Sequence, residues 1–186
     1  VKENYNLKNL VLCKLGSKQI SPVKRNDPYI TTLGAFYEAN EILIAVPAYE
    51  RGQDINSGFK QFRPSNEELD EYYAFLENIW MQLLQKAPNF TEILKSKKTP
   101  GDLRKEMDEN GRLVLDDSGN PIHGGSIFAR PIGQYIIAEV IAVAGIQGKS
   151  IPKTIDAIME NVSMNINDAP WVHVVWNPGT KKITGG

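Results

Sequence analysis

Between Ser126 and Gly145 the chain reads Ser-Ile-Phe-Ala-Arg-Pro-Ile-Gly-Gln-Tyr-Ile-Ile-Ala-Glu-Val-Ile-Ala-Val-Ala-Gly. Proline suits the first turn of a helix, and the apolar residues after Pro131 fall on nearly every side of it. Such a helix must be surrounded by others. The stretch therefore predicts a mainly α-helical domain built around a buried helix at about 131–147. The run from Tyr135 to Gly145, interrupted by Glu139, is too short to span a bilayer.

Small residues sharpen this expectation. At helical spacing Ala129, Gly133 and Ala144 gather on one side of the helix and Ala138, Ala142 and Gly145 on another, which lets neighbouring backbones come close. The neighbours are expected from two segments. After Asp27-Pro28, Thr31 or Thr32 can cap a helix carrying Leu33, Phe36, Tyr37, Leu43 and Ile44, with Pro47 expected to end it. A stronger pattern starts at Ser65, where Ser65 and Glu68 make a capping box. Leu69, Tyr72, Tyr73, Leu76, Ile79, Trp80, Leu83 and Leu84 then form one wide apolar face, expected to pack directly on the helix at 131–145. Ala87-Pro88 breaks this helix, and Phe90, Ile93 and Leu94 suggest a short one after it. Ser150 and Pro152 begin a last helix that turns Ile151, Ile155, Ile158, Met159 and Val162 inward.

Two places predict β-structure. Leu113-Val114-Leu115 and Pro121-Ile122 flank the turn-forming Asp116–Asn120, so a small hairpin is expected near 112–122. A calcium loop fits poorly there, because no glutamate follows at the required spacing. Alternation over Trp171–Trp176 predicts a short C-terminal strand with Trp171, His173 and Val175 on one face. No internal repeat or low-complexity tract is apparent.

Charge places any nucleic-acid contact locally. The 186 residues carry a net charge of −1, so no global basic field exists. Residues 1–27, however, hold Lys2, Lys8, Lys14, Lys18, Lys24 and Arg25 against Glu3 and Asp27. The plainer reading is a solvated leader with one anchoring element at Leu10–Cys13. The alternative is a phosphate-binding arm with Lys14, Lys18, Lys24 and Arg25 as its contacts. The leader, starting on Val1, is expected to be the tail of a domain that precedes it, and 28–186 the helical domain proper. A single cysteine, Cys13, excludes an internal disulfide and fits a reducing, cytoplasmic setting.

Residues able to carry chemistry are few. Arg130 and Gln134 lie one turn apart and are candidates to hold a phosphate or carboxylate near the helix start. The competing reading is an internal salt bridge from Arg130 to Glu68 or Glu139. His123-Gly-Gly-Ser126 lacks the oriented base and third group that a nucleophile needs, and no Gly-x-Ser-x-Gly elbow exists. Two histidines and one cysteine are too few for a structural zinc site, and no phosphate-binding Gly-x-x-x-x-Gly-Lys-Ser/Thr loop is present. No cofactor is implied. Trp171 and Trp176 are expected to staple the chain end to the core rather than to stack on bases.

Ser-Ile-Phe-Ala-Arg-Pro-Ile-Gly-Gln at 126–134, followed by Ala-Pro-Trp-Val-His-Val-Val-Trp at 169–176, resembles the C-terminal part of DGQHR-domain proteins, the group that includes the DndB proteins of DNA phosphorothioation. Thr-Thr-Leu-Gly-Ala-Phe-Tyr at 31–37 and Arg-Pro-Ser-Asn-Glu-Glu-Leu at 63–69 are similar to the helical region of the same family. The resemblance covers roughly residues 28–178 and rests on packing motifs. It implies a role in DNA modification, its transcriptional control or anti-phage defence. The family's Asp-Gly-Gln-His-Arg motif is absent from this chain, so no catalytic residue carries over. What the resemblance implies is a non-catalytic domain that binds DNA or a partner. A structural homo-oligomerisation module and an enzyme with Arg130, Gln134 and His123 around a pocket are the alternatives.

Overall fold

The computed structural model describes residues 29–53, 65–95 and 98–184, together with β1 (Val11–Leu12). Among these the fold is mainly α-helical. β2 (Thr31–Thr32) leads directly into α1 (Leu33–Leu43), where the Thr32 hydroxyl accepts the Ala35 N–H at 3.2 Å. The chain breaks at Ile44 and continues as α2 (Ala45–Glu50). Pro47 therefore does not end the helix as expected. It lies in the first turn of α2, where an N–H would have no helical partner.

α3 (Asn66–Lys86) begins with the expected capping box: the Ser65 hydroxyl accepts the Glu68 N–H at 3.3 Å and the Glu68 carboxylate accepts the Ser65 N–H at 2.7 Å. It buries Tyr72, Ile79, Trp80, Leu83 and Leu84, and α4 (Phe90–Leu94) follows. α5 (Pro131–Ile146) is the central helix and α6 (Ile151–Asn161) completes the set.

α5 packs along α1, α2 and α6. Gly145 makes the contact with α2 close, since a Cβ there would stand 2.9 Å from both Val46 methyls. α3 shares one buried core with α5, as expected, but its most extensive close backbone contacts are with α6 and α4. α2 lies against α5 at Gly145, and α3 reaches the common core partly through α1. Trp80 tilts against Phe36 of α1 with ring centroids 5.0 Å apart, and its indole N–H donates to the Asn40 side chain. Nor is α5 enclosed all round. Tyr135, Val140 and Val143 form an exposed outer stripe.

The expected hairpin near 112–122 is present within a larger device. Three short arms at 105–107, 113–115 and 121–123 pair antiparallel with one another, through the bridges Lys105–His123, Met107–Leu113 and Leu115–Pro121. At their centre the Glu106 N–H donates to Ile122 C=O, the Ile122 N–H to Val114 C=O and the Val114 N–H to Glu106 C=O, which closes a ring. The ring residues recur at 106, 114 and 122, and so do the turns between them. Asp108 accepts the N–H groups of Asn110 and Arg112, as Asp116 accepts those of Ser118 and Asn120. Gly111 and Gly119 close the two turns with φ of 73° and 77°, the left-handed region that glycine adopts without strain. An internal repeat thus exists where none is apparent from composition.

The C-terminal strand is shorter than its alternation suggests. Only β3 (Trp176–Asn177) is extended, paired antiparallel with β4 (Lys182–Ile183). Residues 171–175 coil instead, because the Trp171 carbonyl accepts the N–H groups of Val174, Val175 and Trp176. His173 takes φ of 64° and Val174 points outward. Trp171 and Trp176 are both buried, and their indole N–H groups donate to Ser163 C=O and the Asn167 side chain. They staple the chain end and do not offer faces to bases. No helix among the described residues is long and apolar enough to cross a membrane.

Candidate functional site

The segment 124–130 links the three-armed unit to α5, and its backbone is pressed between two others. Gly124 and Ser126 donate to Arg104 and Leu103 carbonyls on one side; Ile127 donates to Met164, and Ile166 to Gly125, on the other. Gly125 has φ of 71°, and a Cβ there would overlap the carbonyl oxygens of both Leu103 and Lys105. Gly133 lies so close to the Ile127 carbonyl that it has no room for a side chain either. Loops packed this tightly leave carbonyls facing inward, and a buried carbonyl without a donor is costly.

Arg130 and Gln134 meet this need. Arg130 donates to Ser126 C=O at 2.5 Å, Gly124 C=O at 2.7 Å and Arg104 C=O at 3.3 Å. Gln134 Nε2 donates at 3.0 Å to both Phe128 C=O and Ile30 C=O. The two side chains are 5% and 2% exposed, so their amide and guanidinium groups face loops rather than an incoming anion. The salt bridge from Arg130 to Glu68 or Glu139 does not occur among the described ion pairs. Burial, and secondly the charge of Arg104, push the Arg130 guanidinium down to about 9, so it stays cationic at neutral pH.

Arg104 is the member that sequence reasoning missed. It sits in a single 3-10 turn, Asp102–Arg104, and is 2% exposed. Its Nε donates to Ala129 C=O at 2.7 Å and its Nη2 to Tyr29 C=O. Nothing in Asp-Leu-Arg-Lys marks this arginine as interior. Its position depends on where residues 29 and 129 come to lie, and no local pattern reports that.

His123 and the Ser126 side chain flank this cluster. The His123 ring lies 5.5 Å from that of Trp176, at 44°. The Ser126 hydroxyl is buried with no hydrogen-bond partner among the described residues, so no base activates it there. No group of three or more His, Cys, Asp or Glu is arranged to hold a metal ion among the described residues. Lys14, Lys18, Lys24 and Arg25 lie outside the described residues, as does the leader except β1. Comparison with family models, curated proteins and solved structures found no match to this chain, so the DGQHR resemblance stands on its sequence motifs alone.

Proposed function

We propose that this chain is a non-catalytic helical domain of a DGQHR/DndB-like protein, acting in the cytoplasm in DNA modification, its transcriptional control or anti-phage defence by binding DNA or a partner. The observation that carries its non-catalytic character is the commitment of Arg130 and Gln134 to main-chain carbonyls. A catalytic or anion-binding group must direct its donors at the ligand. These donors are directed at the protein itself.

Charge favours the leader as the part that meets DNA. α1, α2 and α3 carry Glu38, Glu41, Glu50, Glu67, Glu68, Asp70, Glu71 and Glu77 against Lys86 alone, a surface that repels phosphate. A mobility-shift titration with duplex DNA at increasing salt tests the reading. Binding should weaken with salt, and changing Lys14, Lys18, Lys24 and Arg25 together to Ala should flatten that dependence by roughly one unit of slope per lost phosphate contact. Salt-insensitive binding, or none, overturns it.

One observation favours the oligomerisation reading instead: the exposed Tyr135, Val140 and Val143 on α5. Light scattering separates the two. A dimer that ignores DNA and dissociates in Val140→Glu would replace the DNA-binding reading.

A further inference from the structure

Two side chains of the buried polar cluster reach the same short strand. Arg104 Nη2 donates to Tyr29 C=O and Gln134 Nε2 to Ile30 C=O, the two carbonyls that lead into β2. At its other end β2 is fixed by α1, because Thr32 is the cap. Thr31 and Thr32 are both buried. On this held edge lies β1, parallel, with Val11 opposite Thr31 and Leu12 opposite Thr32.

A parallel pair of two residues has almost no ladder of its own, and a short isolated pair is marginal in water. Its alignment has to be imposed by what holds the receiving strand. An edge fixed in the extended form offers unpaired main-chain groups to any extended segment that can reach it.

We propose that β2 is a strand-docking edge whose occupant is the chain's own Val11–Leu12, and that Gln134 and Arg104 are positioning residues that keep this edge extended. The buried cluster on α5 thereby anchors the start of the chain. Lys14 and Lys18 follow within six residues of Leu12, so the anchor also sets where they begin; that consequence alone rests on the DNA-binding reading above.

The test is residue-resolved amide exchange by NMR on the full chain, without DNA. Of the Val11 and Leu12 amides, the one that faces β2 should be protected in the native protein and exchange about tenfold faster in Gln134→Leu, while buried amides of α3 and α6 keep their protection. Unprotected Val11 and Leu12 in the native protein, or unchanged exchange in the variant, overturns the proposal. Should Gln134→Leu fail to fold, Val11→Pro with Leu12→Pro reads the same coupling from the other side, since coupling is reciprocal. Of the Thr31 and Thr32 amides, the one that faces β1 should then exchange faster, and unchanged exchange at both overturns the proposal. No DNA is present, so this result and that of the mobility-shift titration can fail separately.

Discussion

At the centre of the domain, cationic and amide side chains donate to carbonyls that tight loops have turned inward; at the tips of the three arms, carboxylates accept N–H groups that tight turns have turned outward. Arg130 serves three carbonyls from one buried guanidinium. Asp108 and Asp116 each serve two amides at the surface. Geometrically the two arrangements are alike, a single side chain closing a non-repetitive stretch of backbone. They differ in what replaces the side chain when it is removed. Water reaches the arm tips and takes over most of the lost bonds, whereas at Arg130 it does not, and the carbonyls stay unpaired.

That contrast sets an order of effects. Arg130→Met should destabilise the fold by about 3 kcal/mol in urea denaturation, because several buried acceptors lose their donor at once. A loss below about 1 kcal/mol would mean that solvent enters the cluster, and the distinction between inside and outside would collapse. Gly133→Ala should cost about 2 kcal/mol by forcing α5 away from the Ile127 carbonyl. Asp116→Ala should cost only about 1 kcal/mol and speed exchange chiefly at Ser118 and Asn120, with Asp116→Asn near neutral because it keeps the acceptor. The smallest effect belongs to acid. The Lys105 ammonium hydrogen bond, joined by the Thr99 N–H and hydroxyl, holds the Asp102 carboxyl down to about 2 against burial that opposes it. A carboxyl lowered on folding adds stability that is complete above its ordinary value of 3.8 and is lost as pH falls through about 2. Asp102→Asn should flatten that limb of an acid-unfolding curve by lowering the neutral plateau, where the contribution is complete, and the drop should stay below about 1 kcal/mol because solvent screens this partly exposed pair.

The same contrast explains what the sequence discloses. Caps, turns and apolar faces are local, and the capping box at Ser65, the starts of α5 and α6 and the turn at Asp116 all fall where their residues predict. The partner of α3 is not local. Its wide apolar face states that something covers it, but which helices approach its backbone most closely is settled by the packing of the whole core. Arg130 and Gln134 stand out in the sequence, though their role cannot be read there, since it depends on carbonyls contributed by residues 30, 104, 124, 126 and 128. Arg104 gives no local sign at all. The repeat was within reach: Asp-Glu-Asn-Gly-Arg and Asp-Asp-Ser-Gly-Asn share a pattern at a fixed offset. Two copies of so common a turn attract no notice until the ring of Glu106, Val114 and Ile122 shows what they space.

That ring has a topological consequence. Each of its three arms is held by both of the others, so none is a first or last strand of the unit, and the central residue of each arm has both its main-chain groups paired within the ring. Closure also separates the tips from the frame. Extra residues placed between Asn110 and Gly111, or between Ser118 and Gly119, lengthen a finger while both its roots stay tied. The unit is therefore a mount on which loops of different length and chemistry can be exchanged without disturbing the helices beneath.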